Sequence, residues 1–231
     1  MGVSSTVGPN VPAVSRLVIG ALHVDHPGGE MTGRDKASNR ADGLFFSAVE
    51  GDTWADFERL FEGPGAPKYC WCMVWRAIGP ERDNRDSKSR KSYIRQRVED
   101  GVSIGIVGYL DGEPIAWCSI APRPTYRNLG GIEDPQEDPE RVWSLVCFYV
   151  PRRLRGQGIS HRMLSAAVEH ARHRGASVVE AYPVDPESPS YRFMGYVGSF
   201  QAAGFKEVGR AGTRRHVMRL NLEPLNTGDA E

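Results

Sequence analysis

Apolar residues recur along this chain at two spacings, one typical of strands and one typical of helices. From Leu44 onward, short apolar runs alternate with stretches in which apolar residues return every three or four positions. The helical pattern is clearest in residues 159–174, where one face would carry Ile159, Met163, Ala167 and Ala171. Gly175 follows as a stop signal, so the pattern predicts a helix that packs on a sheet.

The same patterns predict eleven elements in all. Strands are expected at 44–49, 104–110, 114–121, 141–150, 177–182, 205–210 and 216–222, and helices at 53–61, 87–98, 159–174 and 195–203. Asp111-Gly112 supplies the two residues that a tight hairpin turn needs, and Thr53 is placed to cap the first helix. Hairpins combined with one strand-helix-strand unit indicate an α/β fold: a mixed, mainly antiparallel twisted sheet with helices on both faces.

The domain boundaries follow from where these patterns begin and end. Residues 1–42 are rich in Gly, Pro, Ser and Asn and keep no period, which predicts a disordered N-terminal extension. Met31 precedes the first strand closely and is a second candidate for the natural start. Residues 43–222 would form one domain, and 223–231 a short polar tail.

Composition excludes several classes of partner. Lys plus Arg and Asp plus Glu number 29 each, so the balance of charge gives no case for a nucleic-acid partner. No run approaches the ~20 apolar residues of a membrane span. The four cysteines do not form a disulfide framework, and Cys70-Trp71-Cys72 lacks the second pair that a zinc site would show. We therefore expect a cytoplasmic protein with reduced thiols, no bound metal and no membrane partner.

The residues with the clearest chemistry form the turn between the fourth predicted strand and the long helix. This turn reads Val150-Pro151-Arg152-Arg153-Leu154-Arg155-Gly156-Gln157-Gly158-Ile159-Ser160. A helix N-terminus offers unpaired N–H groups and a positive dipole end, glycines allow close approach, and the arginines add charge. The turn therefore predicts a site for a diphosphate-like anion, although it fits neither the Walker A nor the dinucleotide fingerprint.

Within this turn, Arg153-Leu154-Arg155-Gly156-Gln157-Gly158 resembles the R-x-x-G-x-G/A signature of the GNAT N-acetyltransferase superfamily. Ala203-Gly204-Phe205 resembles the Ala-Gly-Phe that ends the last helix in that family. The resemblance implies the GNAT acyl-CoA N-acyltransferase fold and acetyl-CoA as cosubstrate. It also implies direct transfer of an acetyl group, in a ternary complex, to a primary amine of a small molecule or peptide.

The resemblance assigns cofactor contacts by position. Backbone groups of the strand end would bind the pantetheine arm, and those of the turn would bind the pyrophosphate. The implied residues are Phe148, Tyr149, Val150, Arg153, Leu154, Arg155, Gly156, Gln157, Gly158, Ile159 and Ser160.

The catalytic groups are less well defined by the sequence. Phe200 occupies the position at which many family members have a tyrosine that protonates the departing thiolate, and Tyr196 lies one helical turn earlier. Glu180, on the strand beside the cofactor, is the candidate base, with Asp185 and Glu187 in the following loop as others. Cys147 is interpreted as a packing residue, and His161, His170 and His173 as solvated residues.

Other functions stay open at this point. The phenylalanine at position 200 is compatible with a non-catalytic acyl-CoA-binding or regulatory domain, and a longer acyl-CoA could replace acetyl-CoA. An acidic loop over 122–140 could attract a cationic amine. Exposed sheet edges in this fold class allow a homodimer.

Overall fold

The structure is a computed structural model that describes residues 43–76, 79–83 and 85–223. The predicted disordered extension, residues 1–42, lies outside the described residues. So does the predicted polar tail, apart from Glu223.

The described residues form seven strands and four α-helices. The strands are Leu44–Ala48 (β1), Ile106–Leu110 (β2), Glu113–Pro122 (β3), Val142–Tyr149 (β4), Val178–Ala181 (β5), Lys206–Ala211 (β6) and Arg215–Asn221 (β7). The helices are Trp54–Glu62 (α1), Ser87–Glu99 (α2), Ile159–His173 (α3) and Val197–Ala202 (α4). Each predicted element is present, with ends shifted by one or two residues.

All seven strands belong to one sheet in the order β1-β2-β3-β4-β5-β7-β6. β4 and β5 run parallel, and every other neighbouring pair is antiparallel. The β2–β3 hairpin turns at Asp111 and Gly112, whose φ angles of 52° and 82° match a tight turn of the predicted kind. The prediction of a mixed, mainly antiparallel sheet is confirmed.

Helices cover both faces of this sheet. Trp117 and Cys118 are adjacent in β3 and point to opposite sides. Trp117 packs with buried residues of α1 and α2, whereas Cys118 packs with those of α3. The predicted apolar face of α3 is buried at Ile159, Met163, Ala167 and Ala171. Burial of side chains such as Ile159 and Met163 stabilises the docked helix by about 1.5–3 kcal/mol each.

The first two helices begin differently from each other. Thr53 stands at the start of α1, but its hydroxyl does not cap the helix. It donates instead to the carbonyl of Ala48 at 2.9 Å and accepts from the N–H of Glu50 at 2.8 Å, which fixes the turn after β1. The predicted capping role of Thr53 is therefore wrong. Asp86 does cap α2, through a 2.9 Å bond from the N–H of Ser89.

His170 is not the solvated residue that its sequence position suggested. Its side chain is buried in α3, and its ring lies edge-on to Trp143 with centroids 5.5 Å apart. Burial, with a smaller contribution from Arg174 and His173, lowers the pKa of His170 to about 4. The imidazole is therefore neutral in the folded protein at neutral pH.

Acid should destabilise the protein through this residue. The unfolded chain binds a proton at His170 near pH 6.5, whereas the folded chain does so only near pH 4. Stability is thus fully present above pH 6.5, and about 3 kcal/mol is lost as pH falls to 4. Denaturant titrations at both pH values measure the free energy of unfolding. The decrease between them should be correspondingly smaller in His170→Phe than in the wild type. His161→Phe, on the first turn of the same helix, should show the same decrease as the wild type. Equal losses in His170→Phe and wild type would contradict this account.

Candidate active site

The two parallel strands at the centre of the sheet separate part of the way along. β4 pairs with β5 only from Val142 to Leu145, opposite Val178 to Ala181. β4 then continues to Tyr149, while the chain after β5 leaves and forms isolated bridges through Val184. Within the described chain, the β5-side edge of residues 146–149 therefore has no strand partner.

A cavity of about 630 Å³ opens at this separation. Its lining comes from the end of β4, the start of α3, the segment before α4 and the loop after α1. The lining residues are Pro67, Tyr69, Cys70, Cys72, Val74, Trp75, Ser119, Val146, Cys147, Phe148, Tyr149, Val150, Arg155, Ser160, Leu164, Arg192, Phe193, Gly195, Tyr196, Ser199 and Phe200. The volume falls in the range typical of small-molecule and cofactor sites.

The turn that enters α3 presents a row of backbone donors. Gly156 and Gly158 have φ angles of 77° and 75°, a region that glycine adopts without strain. Among the described residues, the N–H groups of 156–160 donate to no protein acceptor. Arg155 anchors the turn by donating from Nε to the carbonyl of Val150 at 3.0 Å. Free N–H groups at a helix N-terminus, with arginines beside them, form an anion-binding arrangement.

The predicted cofactor residues occupy one continuous region. Phe148, Tyr149, Val150, Arg155 and Ser160 line the cavity. The remaining six belong to the turn that joins Val150 to Ser160 or to the first residue of α3: Arg153, Leu154, Gly156, Gln157, Gly158 and Ile159. The fold thus brings together the strand edge and the turn that the sequence associated with one ligand.

The two aromatic residues of α4 and its cap have different environments. Phe200 is buried and packs against Phe148 and Phe205, with ring centroids 6.2 Å and 5.1 Å away. A Cβ at Gly195 would lie 2.7 Å from the Phe200 ring, so glycine is required there. Tyr196 also lines the cavity and keeps 38% of its surface exposed. Of these two positions, only Tyr196 carries a hydroxyl.

Glu180 lies on β5 but does not line the cavity. Its carboxylate is fully buried and accepts from Tyr182 Oη at 2.5 Å, Arg219 Nε at 2.8 Å and the N–H of Ile132 at 3.2 Å. Arg219 also binds both carboxylate oxygens of Glu137 at 2.8 Å. These bonds use Glu180 to hold the 122–140 loop against the sheet, which argues against its predicted role as the base. Asp185 and Glu187 do not line the cavity either.

The loop after α1 supplies a wall of the cavity that sequence reasoning did not assign to the site. Tyr69, Cys70, Cys72 and Trp75 line the cavity. From the sequence, the aromatic and cysteine residues here are compatible with a pocket lining or, more simply, with the core, and Trp71 is buried in the core. The available signal was the density of aromatics in a segment without helical or strand period, which is common in ligand-binding loops.

The Cys72 thiol in the cavity lining is a poor nucleophile. Contact with Cys147, together with burial, raises the pKa of Cys72, which also accepts a 2.9 Å bond from Trp117 Nε1. A protonated thiol does not attack a thioester readily. Cys147 is half-buried and packs with the aromatic cluster beneath α1, consistent with the packing role expected for it. In the described ranges, no three His, Cys, Asp or Glu side chains are grouped to hold a metal ion.

The comparisons with known proteins agree with this geometry. Residues 69–196, more than half of the chain, match the acetyltransferase (GNAT) family, and the chain belongs to that family. Its sheet and helices form the GNAT acyl-CoA N-acyltransferase fold. Family membership supports acyltransferase activity.

Solved structures share this fold at low sequence identity. The aminoglycoside acetyltransferase AAC(6′)-Ib, in complex with paromomycin and acetyl-CoA, is 15% identical with a TM-score of 0.51, covering 82% of this chain and 99% of that chain. A ribosomal-protein-alanine N-acetyltransferase from Brucella melitensis is 20% identical, with a TM-score of 0.46 and coverage of 77% and 99%. No curated protein matches the chain. No helix in the described residues is long and apolar enough to cross a membrane.

Proposed function

We propose that this protein is an N-acetyltransferase that uses acetyl-CoA to acetylate a primary amine of a small molecule or peptide. The observation that carries the proposal is the row of free N–H groups at residues 156–160, directly beside the open edge of β4. A pyrophosphate needs the first feature and an extended amide chain needs the second. Both features border one cavity, so a single ligand of this kind can use them together.

Acetyl-CoA supplies an acetyl group activated as a thioester. The chain contributes binding and orientation: the 156–160 N–H groups would hold the pyrophosphate, and the β4 edge would align the pantetheine amides. Backbone N–H groups near Phe148 to Val150 could stabilise negative charge on the thioester oxygen. Direct transfer in a ternary complex then requires the amine and the thioester to share the cavity.

Deprotonation of the acceptor is the demanding step. A lysine-like amine has a pKa of about 10.4, and only its neutral form attacks. The described residues that line the cavity include no Asp, Glu or His. A side-chain carboxylate or imidazole therefore does not carry the proposed mechanism, and the proton would leave through water.

Tyr196 is proposed as the acid that protonates the departing thiolate. Tyr196→Phe should lower kcat by about 10²-fold or more, because general acid catalysis is typically worth that much. The Kd for acetyl-CoA, measured by calorimetry, should stay unchanged. Tyr69→Phe, at another cavity tyrosine with 68% exposure, is the matched control and should keep the wild-type kcat. An unaltered kcat in Tyr196→Phe would mean that the thiolate leaves without this residue.

The experiment that tests the function has two parts. Calorimetric titration with acetyl-CoA and free coenzyme A tests the cofactor site, and release of free thiol with a panel of amines tests transfer. Micromolar binding with turnover supports the proposal. Binding without turnover of any amine would favour the second candidate, a non-catalytic acyl-CoA-binding or regulatory domain, which the buried Phe200 supports. Titration with longer acyl-CoA species shows whether the protein prefers acetyl-CoA or a longer acyl chain.

Cytoplasmic location and a homodimer are parts of the proposal that rest on the sequence. β6 lies at one edge of the sheet and carries the exposed charged residues Lys206, Glu207 and Arg210. Charged side chains disfavour pairing between sheet edges. A dimer, if formed, is therefore expected through β1 or a helical face. Light scattering on the purified protein measures the assembly state.

A further inference from the structure

Arginines without carboxylate partners gather at one end of the cavity. The guanidinium groups of Arg127 and Arg215 lie 4.7 Å and 5.1 Å from the ring centroid of Trp75, which lines the cavity. Arg192 lines the cavity itself, and among the described residues its guanidinium donates only to the carbonyl of Pro186. Within the part of the chain that the structure describes, none of these three arginines forms an ion pair with a carboxylate. Elsewhere arginines such as Arg97 and Arg219 are paired.

Arg76 adds a buried positive charge behind the same wall. It is fully buried, and its guanidinium donates to the carbonyl of Ile104 at 2.7 Å and to the hydroxyls of Tyr126 at 2.6 Å and Ser119 at 3.1 Å. All its hydrogen-bond acceptors are neutral oxygens, and Ser119 lines the cavity. A buried cation without an anion is costly unless something else compensates the charge.

Several buried donors at this end also lack acceptors. Trp75 Nε1, Arg215 Nη1 and Arg76 Nε are buried and have no hydrogen-bond partner among the described residues. Buried donors are normally satisfied, so this concentration calls for an explanation. These three donors belong to neighbouring residues, so this end of the cavity carries more donors than acceptors among the described residues.

The acidic residues that could have balanced these charges lie elsewhere. The cavity lining contains two charged residues, Arg155 and Arg192, and no acid among the residues described. In the 122–140 loop, Glu137 is held by Arg219, and the loop does not line the cavity. The loop therefore does not provide the cation-attracting wall that the sequence suggested.

We propose that the acceptor substrate carries a carboxylate in addition to its amine, as a free amino acid or a related amino-carboxylate does. This inference rests on the proposed function. Arg192, on the cavity surface, would contact the carboxylate, because arginine presents several donors in a planar fork that matches it. Arg76, Arg127 and Arg215 act as positioning residues that make the potential at the Trp75 end positive.

The same charge distribution assists deprotonation. Nearby positive charge disfavours the ammonium form of a bound amine and lowers its pKa. A larger fraction of the bound acceptor is then neutral, which compensates for the missing carboxylate or imidazole in the cavity. Binding of the carboxylate and activation of the amine would therefore come from one arrangement of arginines.

The test compares acceptors with and without the carboxylate, and rates refer to the neutral amine because the carboxylate itself raises the pKa of the amine. Thiol release from acetyl-CoA is measured with the common amino acids and, for each, the matching amino-acid amide. We expect kcat/KM to be at least about 10-fold higher for the carboxylate of the best pair, since charge-assisted hydrogen bonds are worth that factor or more. Equal or better use of the amides would overturn the inference and leave the proposed function intact.

Variants then identify which arginine binds the carboxylate of the substrate. Arg192→Gln should raise KM for the amino acid by about 10-fold or more, leave the amide's KM unchanged and leave the Kd of acetyl-CoA unchanged. Arg215→Gln should shift KM in the same direction by a smaller factor. Arg95→Gln, an exposed arginine paired with Glu99 on α2, is the control for loss of one positive charge. A parallel rise of both KM values, or a weaker acetyl-CoA affinity in Arg192→Gln, would contradict the assignment.

A binding measurement separates the two proposals. Protein saturated with free coenzyme A is titrated with the amino acid and with its amide, so no turnover is needed. Preference for the amino acid supports the inference even if the enzyme transfers poorly. Failure of the wild type to bind either acetyl-CoA or coenzyme A would instead overturn the proposed function.

Discussion

Gly156→Asp is expected to weaken acetyl-CoA binding by at least about 100-fold in calorimetric titrations. Two effects act together. The φ angle of 77° at this position strains any residue with a Cβ, so the row of N–H donors would shift. The new carboxylate would also stand beside the proposed pyrophosphate and repel it. Loss of oriented donors and added repulsion both oppose the same ligand group.

A second glycine provides the control for backbone strain. Gly212, in the turn between β6 and β7, has a φ of 73°, and a Cβ there would meet no atom within 4 Å, as at Gly156. Gly212→Asp should therefore cost similar folding stability and keep acetyl-CoA binding. Full binding by Gly156→Asp, or equal loss in both variants, would mean that the turn does not hold the ligand.

Glu180→Gln should lower the free energy of unfolding by about 3 kcal/mol while leaving the pH profile of kcat/KM unchanged. The reason is that Glu180 and Arg219 form a buried ion pair, with side-chain exposures of 0% and 12%. Removing one charge leaves the other without its partner, which typically costs 3–5 kcal/mol, and glutamine retains part of the hydrogen bonding. Chemical denaturation measures the first effect and steady-state kinetics the second.

The surface ion pair of α3 is the matched control for this change. Glu169 lies 3.5 Å from Arg172, with both side chains about one-third exposed. Glu169→Gln should change stability by less than about 1 kcal/mol. A shifted pH profile in Glu180→Gln, without loss of stability, would restore Glu180 as the base that its strand position first suggested.

The sequence predicted the fold well because its local signals agreed with one another. The apolar spacing of Ile159, Met163, Ala167 and Ala171 fixed the buried face of α3, and Asp111-Gly112 fixed the central hairpin. Each of these features depends on a few adjacent residues. The tertiary fold brings these elements together in a sheet that is mixed and mainly antiparallel, as predicted.

The turn and strand edge that we propose as the cofactor site were predictable for the same reason. The strand end, the glycine turn and the start of α3 are continuous in sequence, and residues 156–160 present their donors as expected. The other walls of the cavity were not predictable, because they come from segments far apart in the chain. Trp75, Ser119 and Arg192 meet only through the tertiary fold.

Side-chain partners that are distant in sequence could not be predicted. Nothing near Thr53 shows that its hydroxyl would bind the preceding turn, and nothing near His170 shows that Trp143 would cover it. The partner of Glu180 is equally hidden in the sequence, since Arg219 reaches it from the neighbouring strand β7. A carboxylate on a strand beside a cofactor looks available until its counter-charge is located.

The loop after α1 has a consequence for how this protein could diversify. It lines the cavity with Tyr69, Cys70, Cys72 and Trp75, on the side where we propose that the acceptor binds, and contributes nothing to the turn at 156–160. Its base is fastened to β3 and the following segment through the hydrogen bonds of Arg76. Mutations in this loop can alter which acceptor molecule binds while the proposed cofactor-binding turn at 156–160 stays unchanged. New substrates would therefore be acquired by exchanging one short segment, and directed evolution of this protein should begin there.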